Sequence, residues 1–242
     1  MITIENPDNV SPDCLIEDNA RVVGDAVVNN DVHLFNNAEV SGNAQVTGWT
    51  SVFGNAHVTG NALVTENAQV FGNARVGGNA YVYGNCRVYG EAQVTGRVSG
   101  YAKVHERAEV SGNASVTGYA TVAGNAHIAG DALVRGNAEI SGYAKVTGDT
   151  LIDHNAMVSG NARVREEASV TSDACITDDA IIGGKACISG KACISGKARI
   201  SGKARIGGDA RIGGDAEILG GVWNGTEGEI LTGTWLAPGK PA

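Results

Sequence analysis

Aliphatic residues recur along the chain with a period of six. From Val10 to Val94 every sixth residue is Val, Ile or Leu, and the series resumes at Val98 and runs to Ile218. The residue two positions before each aliphatic residue is nearly always Ala. Side chains alternate between the two faces of a strand, so the triplet Ala-x-Val places both apolar side chains on one face. The pattern therefore predicts one short strand in every repeat.

Turn-forming residues separate the predicted strands. Two positions after each aliphatic residue the chain mostly carries Gly, and the next residue is mostly Asn or Asp, as in residues 67–85, NAQVFGNARVGGNAYVYGN. These residue types tolerate a backbone with positive φ, so we expect both of them to turn the chain. Six-residue sides that repeat without long insertions predict a solenoid with a narrow core of small apolar side chains.

The repeat has one break in its register. The spacing between Val94 and Val98 is four residues instead of six. One interpretation is a shortened corner that Gly96 makes possible. The other is a notch that marks a contact with a ligand or a subunit. The sequence alone leaves both open.

Composition and charge narrow the range of functions. Of 242 residues, 43% are hydrophobic but only 5% are aromatic, which excludes both a core of large rings and a disordered polar chain. The net charge of -8 argues against nucleic acid as a partner. Five Cys without paired spacing fit a reducing compartment, and neither a signal peptide nor a membrane-length apolar stretch is visible. We therefore expect a cytoplasmic protein without a membrane partner.

The repeat of residues 14–218, aliphatic-x-x-x-small-x, resembles that of the hexapeptide-repeat proteins. Its dense Gly-Asn-Ala-x-Val units resemble the YdcK-like members of bacteria and prophages. The resemblance implies an all-β fold, a single-stranded left-handed parallel β-helix of triangular section with three repeats per coil, here about 12 coils. It also implies a homo-oligomer, with a trimer favoured. Residues 1–13 are expected to cap one end and residues 219–242 to form a C-terminal hairpin and tail.

The end of the repeat carries two tryptophans. After Ile218, two short apolar runs that contain Trp223 and Trp235 flank a Gly-rich stretch, which predicts a hairpin between them. Solenoids need a cover for the last coil. We expect the two indoles to cap the open end or to dock a partner.

Four aromatic residues share one position of the repeat. Phe35, Phe53, Phe71 and Tyr89 each follow an aliphatic residue and lie eighteen residues apart, which uses all 3 Phe of the chain. With three repeats per coil they would stack in a column on the outside. Such a column either holds successive coils together or offers an apolar strip for self-assembly or a partner.

Candidates for catalysis are few. The hexapeptide-repeat proteins are best known as acyltransferases with a His base and a projecting loop, but this repeat has no long insertion. All five His lie at variable surface positions of the repeat: His33, His57, His105, His127 and His154. His154 follows Asp153 and is the best candidate for a base, although adjacent strand residues point apart. No three His share a face, so no metal and no cofactor are expected.

Two cysteines share a predicted face. Cys175 and Cys193 lie one coil apart at the same outward position, close enough for a disulfide or a shared soft metal. The alternative is a set of free surface thiols.

The main functional expectation is a non-catalytic structural or assembly scaffold that acts through its side-chain ladders and end caps and contacts other structural proteins. The resemblance to prophage proteins allows a phage-derived scaffold that is part of a phage particle. The first alternative is an acyltransferase of the acetyl-coenzyme A type with a site between subunits. The second alternative is a self-polymerising filament protein.

Overall fold

The computed structural model describes residues 1–237, 240 and 241. The chain divides into two compact units, residues 1–124 and residues 125–242. Within each unit, short strands pair in parallel into three sheets, and successive strands up to β39 (Thr234–Ala237) belong to different sheets. The chain makes about 13 turns of three strands. The predicted all-β parallel β-helix is thereby confirmed.

The first unit contains a short 3₁₀ turn, Pro7–Asn9, and twenty strands. The strands are β1 (Thr3–Ile4), β2 (Leu15–Ile16), β3 (Arg21–Val22), β4 (Val27–Asn29), β5 (His33–Leu34), β6 (Glu39–Val40), β7 (Gln45–Thr47), β8 (Ser51–Val52), β9 (His57–Val58), β10 (Leu63–Val64), β11 (Gln69–Val70), β12 (Arg75–Val76), β13 (Tyr81–Val82), β14 (Arg87–Val88), β15 (Gln93–Val94), β16 (Arg97–Val98), β17 (Lys103–Val104), β18 (Glu109–Val110), β19 (Ser115–Val116) and β20 (Thr121–Val122).

The second unit repeats the same element. Its strands are β21 (His127–Ile128), β22 (Leu133–Val134), β23 (Glu139–Ile140), β24 (Lys145–Val146), β25 (Leu151–Ile152), β26 (Met157–Val158), β27 (Arg163–Val164), β28 (Ser169–Val170), β29 (Cys175–Ile176), β30 (Ile181–Ile182), β31 (Cys187–Ile188), β32 (Cys193–Ile194), β33 (Arg199–Ile200), β34 (Arg205–Ile206), β35 (Arg211–Ile212), β36 (Glu217–Ile218), β37 (Val222–Trp223), β38 (Glu229–Ile230), β39 (Thr234–Ala237) and β40 (Lys240–Pro241).

Within each unit, most strands pair with the strand three positions later in the chain, whereas β1 pairs with β3 and β40 pairs with β39. In β11, Gln69 lies opposite Ser51 of β8 on one side and Arg87 of β14 on the other, which sets the register at eighteen residues. The register falls by two residues at the break, where Tyr81 of β13 lies opposite Arg97 of β16. Outward residues eighteen apart therefore stack in columns.

The core is a column of small aliphatic side chains. Every aliphatic repeat position from Val22 to Ile218 is at most 2% exposed, and the Ala two residues earlier is buried in the same way. Parallel pairing buries the same position in each coil, so one residue type satisfies every coil. A larger residue at an Ala position would overpack this narrow interior.

Glycine at the corners is required by the stacking. Gly72 has a φ of 74°, and a Cβ there would lie 3.0 Å from the backbone nitrogen of Gly90 in the next coil. Where another residue takes such a corner, it is often acidic. The carboxylate of Asp178 accepts a hydrogen bond from the N–H of Gly196 at 2.9 Å.

The Asn residues of the corners serve a different purpose from the one expected. Asn37, Asn55 and Asn73 are not among the residues with positive φ. Their side-chain amides form a ladder instead: Nδ2 of Asn37 donates to Oδ1 of Asn55 at 2.9 Å, and Nδ2 of Asn55 donates to Oδ1 of Asn73 at 3.0 Å. An amide both donates and accepts, so identical Asn residues can link successive coils without limit.

The N-terminal segment already takes part in the coil. Strand β1 pairs in parallel with β3, and Val10 forms an isolated bridge with Val28. A capping role for residues 1–13 stays a prediction. Within residues 1–237, 240 and 241, no helix has the length and apolar character to cross a bilayer.

The C-terminal hairpin lies later in the chain than expected. Strands β37 and β39, which contain the two tryptophans, pair in parallel with β34 and β36. The expectation that these two runs pair with each other is therefore wrong, because each one joins a different sheet of a further coil. The antiparallel pair is formed by β39 and β40.

Candidate functional site

The aromatic residues form a continuous stack on the first unit. Phe35 and Phe53 have ring centroids 4.7 Å apart, and the next two pairs, Phe53 with Phe71 and Phe71 with Tyr89, are each 4.8 Å apart. The interplanar angles are 6°, 1° and 2°. The ring of His105 continues the stack on Tyr89 at 4.8 Å. We call these five residues the ring column.

The spacing of the ring column follows from the backbone. Each ring residue directly follows its strand, and the strands themselves are neighbours in one sheet. Neighbouring strands lie ~4.8 Å apart, which is also close to the stacking distance of aromatic rings. The rings are half-buried. The column thus presents a rigid apolar strip with a fixed repeat.

One end of the ring column carries a charged partner. The ring of His33 lies 4.3 Å from that of Phe35, and Nε2 of His33 lies 3.1 Å from Oε2 of Glu17. This pair is exposed to solvent. It places a polar end beside the apolar strip.

In the part of the chain that the structure describes, four further exposed aromatic residues were not singled out from the sequence: Trp49, Tyr101, Tyr119 and Tyr143. Tyr101 and Tyr119 stack at 4.9 Å and are 52% and 64% exposed. Trp49 is 72% exposed, and its Nε1–H donates to Asp31 at 3.2 Å. All lie at corners, and the spacing of eighteen between Tyr101 and Tyr119 is the signal that finds their stack.

The corner that contains His154 differs from the sequence expectation. Nδ1 of His154 lies 3.6 Å from Oδ2 of Asp153, and the backbone N–H of His154 donates to Oδ1 at 2.7 Å. The two side chains meet because His154 has a φ of 60°, so the chain turns back at this residue. The expectation that the adjacent side chains point apart is therefore wrong here.

Asp153 is held in place by a second cation. Nε of Arg135 donates to Oδ2 of Asp153 at 2.8 Å, and Asp153 is mostly buried. Burial tends to raise the pKa of Asp153, but the hydrogen bonds from His154 and Arg135 outweigh it and lower the pKa below its usual value. The imidazole of His154 is 65% exposed. A fixed carboxylate beside an accessible imidazole is an arrangement that can orient a general base.

The other histidines are distributed along the chain. His57 lies in β9 opposite Arg75, and His105 ends the ring column, 3.9 Å from Glu106. Among residues 1–237, 240 and 241, no group of three or more His, Cys, Asp or Glu is placed to hold a metal ion.

The cysteines fall into two kinds. Cys175 and Cys193 are directly opposite on the paired strands β29 and β32, and both are half-buried. Burial and the neighbouring Cys193 thiol raise the pKa of Cys175. Cys86 occupies an Ala position inside the core, and burial raises the pKa of its thiol to about 12.

The two tryptophans have unequal surroundings. Trp223 is 1% exposed, lies opposite Ile206, and donates from Nε1 to the Gly220 carbonyl at 2.8 Å. Trp235 is half-buried and packs edge-on against Trp223 at a centroid distance of 6.1 Å. Trp223 thus belongs to the interior of the last coil, while docking through Trp235 stays a prediction.

No protein-family model and no curated protein matches the sequence. Among solved structures, the UDP-N-acetylglucosamine acyltransferase of Arabidopsis is 14% identical, with a TM-score of 0.38 over 72% of this chain and 67% of that one. The same enzyme from Francisella novicida is 15% identical, with a TM-score of 0.30 over 73% and 63%.

The UDP-N-acetylglucosamine O-acyltransferase of Moraxella catarrhalis is 14% identical, with a TM-score of 0.32 over 80% of this chain and 71% of that one. Similarities this distant do not assign an activity. The parallel β-helix fold rests on the strand pairing of the chain itself.

Proposed function

We propose that the protein is a non-catalytic assembly scaffold that associates with further copies of itself through the ring column. The ring column carries this proposal. Five rings in register, half-buried against the sheet, form a strip that a second copy can match ring for ring. Aromatic residues are enriched at interfaces because they bury a large area with little loss of side-chain freedom. By the resemblance of its repeats, such a scaffold belongs in the cytoplasm or in a phage particle, and a trimer is the favoured assembly.

The mass of the protein in solution tests this proposal. We expect the wild-type chain to be an oligomer in sedimentation equilibrium and Phe53→Glu to be a monomer, because a charge in the middle of the strip cannot be buried there without a partner. Ser41→Glu is the matched control, since Ser41 also directly follows its strand but lies outside the column. A monomeric wild-type chain, or equal masses for the two variants, would contradict the proposal.

An acyltransferase is the second candidate, and the corner of His154 favours it. A carboxylate fixed by Arg135 at 2.8 Å lies beside an exposed imidazole, as a general base for acyl transfer to an alcohol or amine requires. We expect a saturable thermal shift with acetyl-coenzyme A and product formation that His154→Asn abolishes and His57→Asn leaves unchanged. Absence of both the shift and the product would exclude this candidate without touching the scaffold.

A further inference from the structure

A hollow on the first unit lies at the register break. It has a volume of about 650 Å³, and its lining includes Asn79, Tyr81, Thr95, Arg97, Gly112 and Asn113. The hollow therefore coincides with the irregularity of the repeat.

The two missing residues can be identified from the pairing. Gly96 stands at the Ala position, since its carbonyl accepts from the N–H of Tyr81 at 3.1 Å just as that of Ala80 accepts from Leu63 at 2.9 Å. Thr95 directly follows β15. A normal corner would carry Gly and Asn between Thr95 and Gly96. The break thus removes one Gly–Asn unit from the stack of corners.

The removal leaves Asn79 without the partners that other corners have. At normal corners the backbone N–H of Asn61 donates to the Gly78 carbonyl at 2.7 Å, and Nδ2 of Asn61 donates to Oδ1 of Asn79 at 3.2 Å. Within the first unit, neither the backbone N–H nor Nδ2 of Asn79 donates to a protein acceptor. Both donors border the hollow.

The opposite wall of the hollow carries an acceptor. By the same pattern, the carbonyl of Gly112 would accept from the backbone N–H of the missing Asn, and within residues 1–124 no N–H donates to it. Asn79 and Gly112 are two coils apart in the stack, so a gap of roughly 9.6 Å separates them. That gap has room for one peptide group between a pair of donors and an acceptor.

The remaining lining gives the hollow a polar, non-acidic character. Arg97 extends over the ring of Tyr81, with Cζ 5.7 Å from the ring centroid. No Asp or Glu lines the hollow although the chain has a net charge of -8. Carboxylate acceptors would compete for the Asn79 donors, and here they are absent from the lining.

We propose that this notch is a binding site for an amide group, and that a ligand of the peptide type replaces the missing Gly–Asn corner. The amide carbonyl of the ligand accepts from the two donors of Asn79, and its N–H donates to the carbonyl of Gly112. A carboxamide on the ligand additionally continues the Asn ladder from Asn79. The site is independent of the ring column.

Chemical-shift mapping on the full ¹⁵N-labelled chain tests this site. With acetyl-Gly-Asn-methylamide as the probe, we expect saturable shifts of the backbone and side-chain amides of Asn79 but not of Asn61. Acetyl-Gly-Leu-methylamide keeps the peptide groups and lacks the carboxamide, so it should bind about fivefold more weakly. If N-methylacetamide caused saturable shifts equal to those of the Gly-Asn probe, the site would bind small amides in general. If N-methylacetamide caused no such shifts, the site would require a peptide segment.

Two variants provide the controls. Insertion of Gly–Asn between Thr95 and Gly96 restores the regular repeat, fills the notch and should abolish binding. Asn79→Asp keeps the acceptor for Asn61 but removes the Nδ2 donor, and Asp173 already plays this part after Asn155. This variant should bind about fivefold more weakly. Non-saturable shifts in the wild-type chain, or unchanged binding by either variant, would overturn the proposal.

Discussion

Replacing the central ring of the ring column should destabilise the first unit measurably. Phe53 stacks on Phe35 at 4.7 Å and on Phe71 at 4.8 Å, so Phe53→Ala removes two contacts. Each aromatic pair contributes about 0.5–1.5 kcal/mol beyond area burial. A half-buried Phe loses in addition about 1 kcal/mol of the burial energy of a full side chain. The expected loss in free energy of unfolding is therefore about 2–4 kcal/mol.

Urea denaturation followed by circular dichroism measures this loss. Ser41→Ala is the control, because Ser41 has the same place in its repeat and no ring neighbour, and its effect should stay within about 0.5 kcal/mol. The double variant of Phe53 and Phe71 should show a coupling of about 1 kcal/mol, since the two rings share one contact. If Phe53→Ala cost no more than Ser41→Ala, stacking would not hold the coils together and the reasoning would be refuted.

Further predictions concern the core, the thiols and the carboxylate at the corner of the second unit. Ala68→Leu should lower the stability by about 1–3 kcal/mol in the same assay, because the interior has no room for the added volume; an unchanged urea midpoint would argue against a packed core. In the native protein at pH 8, Cys86 should resist iodoacetamide while Cys175 reacts, because only Cys86 is fully buried and its pKa is about 12. Mass spectrometry of tryptic peptides measures the modification of each cysteine. Mild oxidation should join Cys175 to Cys193 with a mass loss of about 2 Da, since paired strands hold their Cα atoms within disulfide range; a peptide map without this link would contradict the register. Asp153→Asn should destabilise the protein at pH 7, and the difference should disappear as the pH falls below 3.8, because the lowered native pKa stabilises the fold only while the carboxylate is charged. A difference that persists in acid would show that charge is not the cause.

The period of the sequence predicted the fold because one physical requirement recurs in every coil. Val70 and Ala68 face the same narrow interior as their counterparts eighteen residues away, so the pattern of a single chain was sufficient. The stacking of Phe35, Phe53 and Phe71 followed from the same arithmetic. These features depend only on position in the repeat.

Features that depend on a local backbone angle or on a partner across coils were not predictable in this way. The contact of Asp153 with His154 requires the positive φ of His154, which a histidine seldom adopts. The Asn residues of the ladder form side-chain hydrogen bonds between coils instead of turning the backbone. The preference of Asn for turns does not distinguish these two uses. The position of the hairpin was missed because Trp223 takes an aliphatic position in the core, where the preceding repeats carry only Val, Ile or Leu.

The central claim is that the strands of the regular repeat pair in parallel with strands eighteen residues away. Couplings transmitted through hydrogen bonds in a deuterated, ¹³C,¹⁵N-labelled sample measure this directly. The N–H of Gln69 should couple to the carbonyl carbon of Cys86, and that of Phe71 to the carbonyl carbon of Val88, across hydrogen bonds of 3.0 and 2.9 Å. Couplings from these two amides to residues of the adjacent repeats, as antiparallel hairpins would give, would contradict the coil.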